Sequence, residues 1–122
     1  MLTTVLKSKI KKVTVSNSSI QYEGSIALPD ELIDAAELKL FEQVHVNNLT
    51  NGNRIVTYVI RSNRKGYVTI NGAASKHFAK GDEIHIISFI QLNEDEVKKF
   101  VPKLIITTEN NELLEVLNYP EI

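Results

Sequence analysis

The sequence predicts a mainly β fold, a barrel or a sandwich of short strands with short helices beside it. Three observations carry this. Short runs rich in Val, Ile, Thr and aromatic residues recur along the chain. The dipeptides Asn51-Gly52, Asn71-Gly72 and Gly81-Asp82 punctuate them. Little of the sequence between the runs has helical spacing.

In chain order the expected strands are KVTVS (12–16), QVHVNNL (43–49), RIVTYVIR (54–61), GYVTING (66–72), DEIHIISFI (82–90) and KLIITTE (103–109). In the second, Val44 and Val46 alternate with His45 and Asn47, which predicts one buried face. Asn71-Gly72 is a hairpin-turn signal when taken alone. Two short helices interrupt the pattern. In LPDELIDAAEL (28–38), Asp30 is the expected N-cap of a helix that buries Leu32, Ile33 and Ala36. In NEDEVKKF (93–100), Asn93 and Glu96 have the spacing of a capping box, and Pro102 ends the turn. The tail ELLEVLNY has helical spacing but also suits a peripheral segment. No repeat, low-complexity stretch or linker divides the chain, so residues 1–122 are expected to form one domain.

Composition narrows the function. A hydrophobic fraction of 43% and a charged fraction of 24% are those of a folded protein with a packed core. No apolar run approaches the ~20 residues that span a bilayer. The opening MLTTVLKSKIKK has four lysines but neither an apolar stretch nor a small-residue cleavage site, unlike a secretory signal. There is no cysteine, hence no disulfide and no thiolate metal site. A cytoplasmic protein without a membrane partner is expected. The net charge of −1 argues against nucleic acid as partner. Charge is uneven, though: residues 1–24 carry a net +3 and residues 93–122 a net −4.

The common constellations are missing. Neither GxGxxG nor GxxxxGK[ST] occurs, so nucleotide binding has no support. His45, His77 and His85 lack metal-ligand spacing, so no metal is expected, and His45 and His85 suit surface or interface positions. What remains is Tyr22-Glu23-Gly24-Ser25, followed by Asn51-Gly52-Asn53-Arg54-Ile55-Val56-Thr57-Tyr58 and Asn71-Gly72-Ala73-Ala74. Each has an ordinary reading. Gly-Ser is a common turn, Arg54 an ordinary strand-end cation, Tyr58 a core aromatic, and Lys9 is one of four neighbouring lysines.

In this order and at these separations, the three motifs resemble those of the aspartate 1-decarboxylase family. The resemblance runs from residue 1 to about residue 92, with the flanks SIALPDELIDAAEL and GDEIHIISF. It implies a small double-psi β-barrel that assembles as a homotetramer. It also implies a pyruvoyl cofactor made from the chain itself, with no metal and no pyridoxal phosphate. Ser25 would attack the carbonyl of Gly24, an N→O acyl shift; elimination and hydrolysis would leave fragments 1–24 and 25–122, the second headed by the pyruvoyl group. Gly24 suits this because it lacks a Cβ, and Thr57 matches the residue thought to steady the oxyanion.

The pyruvoyl ketone would take the amine of L-aspartate as a Schiff base and accept electrons as carbon dioxide leaves. The product would be β-alanine, a precursor of pantothenate and coenzyme A. Tyr58 matches the proton donor. Arg54 matches the residue that holds the side-chain carboxylate, a task suited to a planar guanidinium. Lys9 matches a residue near the substrate carboxylates, and Asn71, Gly72, Ala73 and Ala74 match the pocket around the pyruvoyl group. Some members need a maturation factor.

The sequence departs from the pattern at Lys11 and Asn47, where some members have histidine and tryptophan. The alternative is a non-enzymatic β-barrel binding module, a DNA-binding one included, with an intact Gly24-Ser25 bond. A folded member unable to cleave is a third reading. The joint presence of Lys9, Ser25, Arg54, Thr57 and Tyr58 favours the enzyme. Strands such as HIISFI and RIVTYVI also leave more apolar edge than one small core covers, which favours an oligomer.

Overall fold

The structure, a computed structural model, describes residues 1–19 and 24–119. In chain order these form β1 (Thr3–Thr14), β2 (Asn17–Ser19), β3 (Ser25–Leu28), α1 (Asp30–Ala35), β4 (Gln43–Asn48), β5 (Arg54–Arg61) and β6 (Thr69–Asn71). A 3-10 helix (Ala73–His77), β7 (Glu83–Leu92), α2 (Glu94–Lys99), β8 (Lys103–Thr107) and β9 (Leu113–Asn118) follow. The strands join in the order β2-β6-β3-β5-β4-β7-β1-β8-β9. Ile26 and Ile70 from one side of that order share a buried cluster with Ile10 and Ile105 from the other. The sheet therefore curls on itself into a small, mainly β barrel with only short helices, as expected.

Period-two alternation builds the barrel wall. In β4, Val44 and Val46 are buried while His45 and Asn47 are only partly covered. In β7, Ile84, Ile86 and Ser88 point inward, and the Ser88 hydroxyl meets that of Ser8 at 2.6 Å. β1 is longer than the expected 12–16 segment. Its register with β7 shifts between Leu6 and Ser8 and again between Ile10 and Val13, and Lys12 takes φ 63°. These bulges bend the strand so that it pairs with β7 on one side and β8 on the other. The lysines hid it: Lys9 and Lys11 alternate with core Ile10.

Three local expectations change. Asp30 is the first helical residue, not the cap; Pro29 holds the N-cap without a side-chain bond, and Asp30 Oδ1 accepts from Arg61 Nε at 2.6 Å. Asn93 and Glu96 do form the capping box. The tail with helical spacing is strand β9, because antiparallel pairing with β8 supplies backbone bonds and Leu113 packs on the core. Asn51-Gly52 turns the β4–β5 hairpin, with Gly52 at φ 82° and Asn48 N–H donating to Asn53 O at 2.7 Å. Asn71-Gly72 makes no hairpin. It leads from β6 into the 3-10 helix, with Gly72 at φ 77° and ψ −159°, a region essentially reserved for glycine. Among the described residues no helix is long and apolar enough to cross a membrane.

Candidate active site

β3 is four residues long and buried throughout, wedged between β6 and β5. Its first residue is Ser25, only 2% exposed. The antiparallel register sets Ser25 opposite Asn71, and paired residues share a face. Asn71 Nδ2 donates to Ser25 Oγ at 3.1 Å in a buried hydrogen bond. On the other side, Ile26 pairs with Val59 in parallel. Carried back one and two residues, that register sets Ser25 abreast of Tyr58 and Gly24 abreast of Thr57. Ser25, Asn71 and Tyr58 thus lie together on the face turned away from core Ile26, Ile70 and Val59.

Gly24 is exposed, and a Cβ built there would meet nothing within 4 Å, so its peptide is open to approach. The Gly72 amide donates to Ser19 O at 2.7 Å, which leaves Gly72 a conformational role. Ala73 and Ala74 open the 3-10 helix, whose first N–H groups have no partner within it. Tyr22 and Glu23 lie outside the described residues. Beside Tyr58 a shallow depression of about 580 Å³ is lined by Phe41, Gln43, Val56, Thr57 and Tyr58. Phe41 is 74% exposed at φ 71°, held by its N–H donating to Val59 O at 2.7 Å.

A second group of site candidates lies elsewhere on the outer face. Arg54 opens β5 and pairs with Asn47, which pairs with His85. Arg54 Nε donates to Asn47 Oδ1 at 2.7 Å. Lys9 and Lys11 are close enough to His85 to act on its titration. Burial first, then the charges of Lys9 and Lys11, hold its imidazole below the ordinary histidine pKa, against a smaller opposite effect of Glu83. The result is a row of basic groups crossing β1, β7, β4 and β5.

One chain does not bring the two groups together. Arg54 and Tyr58 are four residues apart on one strand, about 13 Å at the rise of an extended chain. Lys9 pairs with Ile87, Ile87 with His45 and His45 with Val56, so Lys9 lies three strands from β5. At ordinary strand spacing that is roughly 14 Å along the sheet. Among the described residues no three His, Asp or Glu side chains gather as a metal site.

In the sequence Asn47 stands out only as a departure from the family pattern, and nothing marks His85 as a site residue. The hairpin turn at Asn51-Gly52 was a usable signal, since a tight hairpin pairs residues flanking its loop. His85 entered only through the pairing of β7 with β4, which no local pattern reveals.

Comparison with known proteins places the chain in a family. The sequence profile of the family described as aspartate decarboxylase matches residues 1–114. The aspartate 1-decarboxylase of Albidiferax ferrireducens is 45% identical over 112 residues, 91% of this chain and 83% of the relative. That of Stenotrophomonas maltophilia is 44% identical over 110 residues, 89% of this chain and 87% of its own. The Campylobacter jejuni protein of the same name is 39% identical over 116 residues, 95% of this chain and 92% of the relative. With the family profile matched over residues 1–114 and relatives 39–45% identical over most of its length, the chain belongs to the aspartate decarboxylase family.

Proposed function

We propose that this chain decarboxylates L-aspartate to β-alanine and carbon dioxide, with a pyruvoyl group made from its own Ser25. The observation that carries the reading is the register around β3, which puts Ser25 beside Asn71 and Tyr58 and puts Gly24 abreast of Thr57. The residues fit self-processing. Ser25 Oγ attacks the Gly24 carbonyl carbon, the Gly24–Ser25 C–N bond breaks, and an ester forms in its place. Elimination frees the Gly24 carboxylate, and water then displaces ammonia to leave the ketone at residue 25. The Asn71 amide holds Ser25 Oγ in place, and Thr57 supplies a hydroxyl near the developing oxyanion.

When formed, the pyruvoyl group supplies an electron sink for loss of the α-carboxylate. Tyr58 delivers a proton to the carbon that the carboxylate leaves. Arg54 holds the substrate's side-chain carboxylate, with Lys9 adding positive charge. Because Arg54 and Lys9 stand far from Ser25 of the same chain, a second copy completes each site, within a homotetramer. The exposed Phe41 and Val56 beside the depression, 74% and 55% accessible, are apolar surface such an assembly covers. Cleavage divides the chain into 1–24 and 25–122, with or without a maturation factor, and the product feeds pantothenate and coenzyme A synthesis.

Intact-mass spectrometry after incubation tests this directly. Two fragments, one ending at Gly24 and one starting with a blocked residue 25, are expected. A single uncut chain, unchanged by added cell extract, overturns the reading.

A further inference from the structure

Asn47, with Lys11, is where the sequence departs from the family resemblance, and the proposed reaction gives it no part. Its contact with Arg54 is nevertheless specific. A guanidinium only donates hydrogen bonds, so the atom facing Nε at 2.7 Å is the Asn47 side-chain oxygen. The two residues are direct cross-strand partners beside the Asn51-Gly52 turn. The partner's chemistry also matters. Arg61, at the other end of β5, pairs with a carboxylate, Asp30. The Arg54 hydrogen bond instead goes to a neutral amide, which can orient the guanidinium without cancelling its charge. A carboxylate in that place would compete with an incoming carboxylate. Of the other side chains in the row, His85, Lys9 and Lys11 carry no negative charge, and the one carboxylate acting on His85, that of Glu83, has a smaller effect there than either lysine.

A guanidinium binds a carboxylate in two planar ways: side-on through Nε and one Nη, or end-on through both Nη groups. The Asn47 contact occupies Nε. We infer that Asn47 is the positioning residue for Arg54, fixing the guanidinium plane and committing it to grip the substrate's side-chain carboxylate end-on. This rests on the reading of Arg54 as the carboxylate anchor. It adds a source of length discrimination, because a fixed guanidinium sets how far the carboxylate stands from the reacting carbon. That span is expected to suit aspartate and to misplace glutamate, which is one methylene longer.

The test uses the full-length, matured protein with L-aspartate as substrate and succinate, a dicarboxylate without an amine, as binding probe. In Asn47→Ala, KM for aspartate and the succinate dissociation constant are expected to rise about fivefold to tenfold, the usual effect of losing one hydrogen bond. The change in kcat is smaller, and the preference for aspartate over glutamate narrows. Asn47→Gln, which keeps the amide acceptor, restores most of the affinity. Asn47→Asp weakens succinate binding more than Asn47→Ala, because its carboxylate pairs with Arg54. If Arg54→Ala loses succinate while Asn47→Ala binds it as wild type does, the inference fails and the proposed function stands. If Arg54→Ala binds succinate unchanged, the role of Arg54 fails and the inference falls with it.

Discussion

The two ends of the outer face are built on opposite principles. Around β3, Ser25 and Asn71 are 2% and 6% exposed and are joined by a buried hydrogen bond. Across β1, β7, β4 and β5, Lys9, Lys11, His85 and the neutral Asn47 are partly covered, and Arg54 is exposed. The buried end holds groups in one geometry, as bond-making requires. The open end holds charge at the surface, where, on the proposed function, a charged substrate is attracted and then desolvated as a second subunit closes over it. On that proposal, chemistry is placed by backbone register and burial, and recognition is placed by charge and finished by assembly.

Substitutions at the buried end should be the more severe. Ser25→Ala is expected to fold and never cleave, abolishing activity; processed fragments by mass spectrometry would place the reactive serine elsewhere. Tyr58→Phe should cleave normally but lose roughly 100-fold or more in kcat, the usual range for removing a general acid. Full turnover in that variant would move the proton donor to another group. Arg54→Ala, at the open end, is expected to cost about 10- to 100-fold in kcat/KM, mostly through KM, as for loss of a hydrogen bond to a charged group. An unchanged KM for aspartate there would erase the division between the two ends. Asn71→Ala should slow cleavage several-fold rather than stop it, since one neutral hydrogen bond is typically worth about 1 kcal/mol. Cleavage at the wild-type rate, followed by gel or mass, would show that Ser25 needs no such partner.

The smallest effect concerns His85. Folding lowers its pKa, so near the ordinary histidine value of 6.5 the unfolded chain binds more protons than the folded one. The stability it permits is therefore full above about pH 6.5 and declines as pH falls through that value. His85→Gln should flatten this part of the profile, measured as denaturation midpoints at pH 7.5 and 5.5. An equal drop in both proteins would assign the sensitivity to other groups.

Much was legible from the chain alone. Alternation in QVHVNNL and DEIHIISFI exposes the strands because a sheet with one buried face demands period two. Asn51-Gly52 marks its turn because positive φ is inexpensive only for such residues. The Asn93 capping box is a local exchange of hydrogen bonds over three residues. The motifs around Ser25, Tyr58 and Asn71 named the family and its chemistry, since such constellations are written in residue identity.

Tertiary structure decided what depends on partners distant in sequence. β1 is hidden in KSKIKK because its lysines coat the outside of a strand whose pairing lies with β7 and β8. The ELLEVLNY tail is a strand because an open edge of β8 was there to receive it. Asn71-Gly72 leaves the sheet for a 3-10 helix because Gly72 is tied back to Ser19. The meeting of Ser25 with Asn71 and Tyr58, and the separation of Arg54 from all three, follow from strand register. Residue types announce what chemistry is wanted, but register is set by the whole packed barrel, and register alone brings those side chains together or holds them apart.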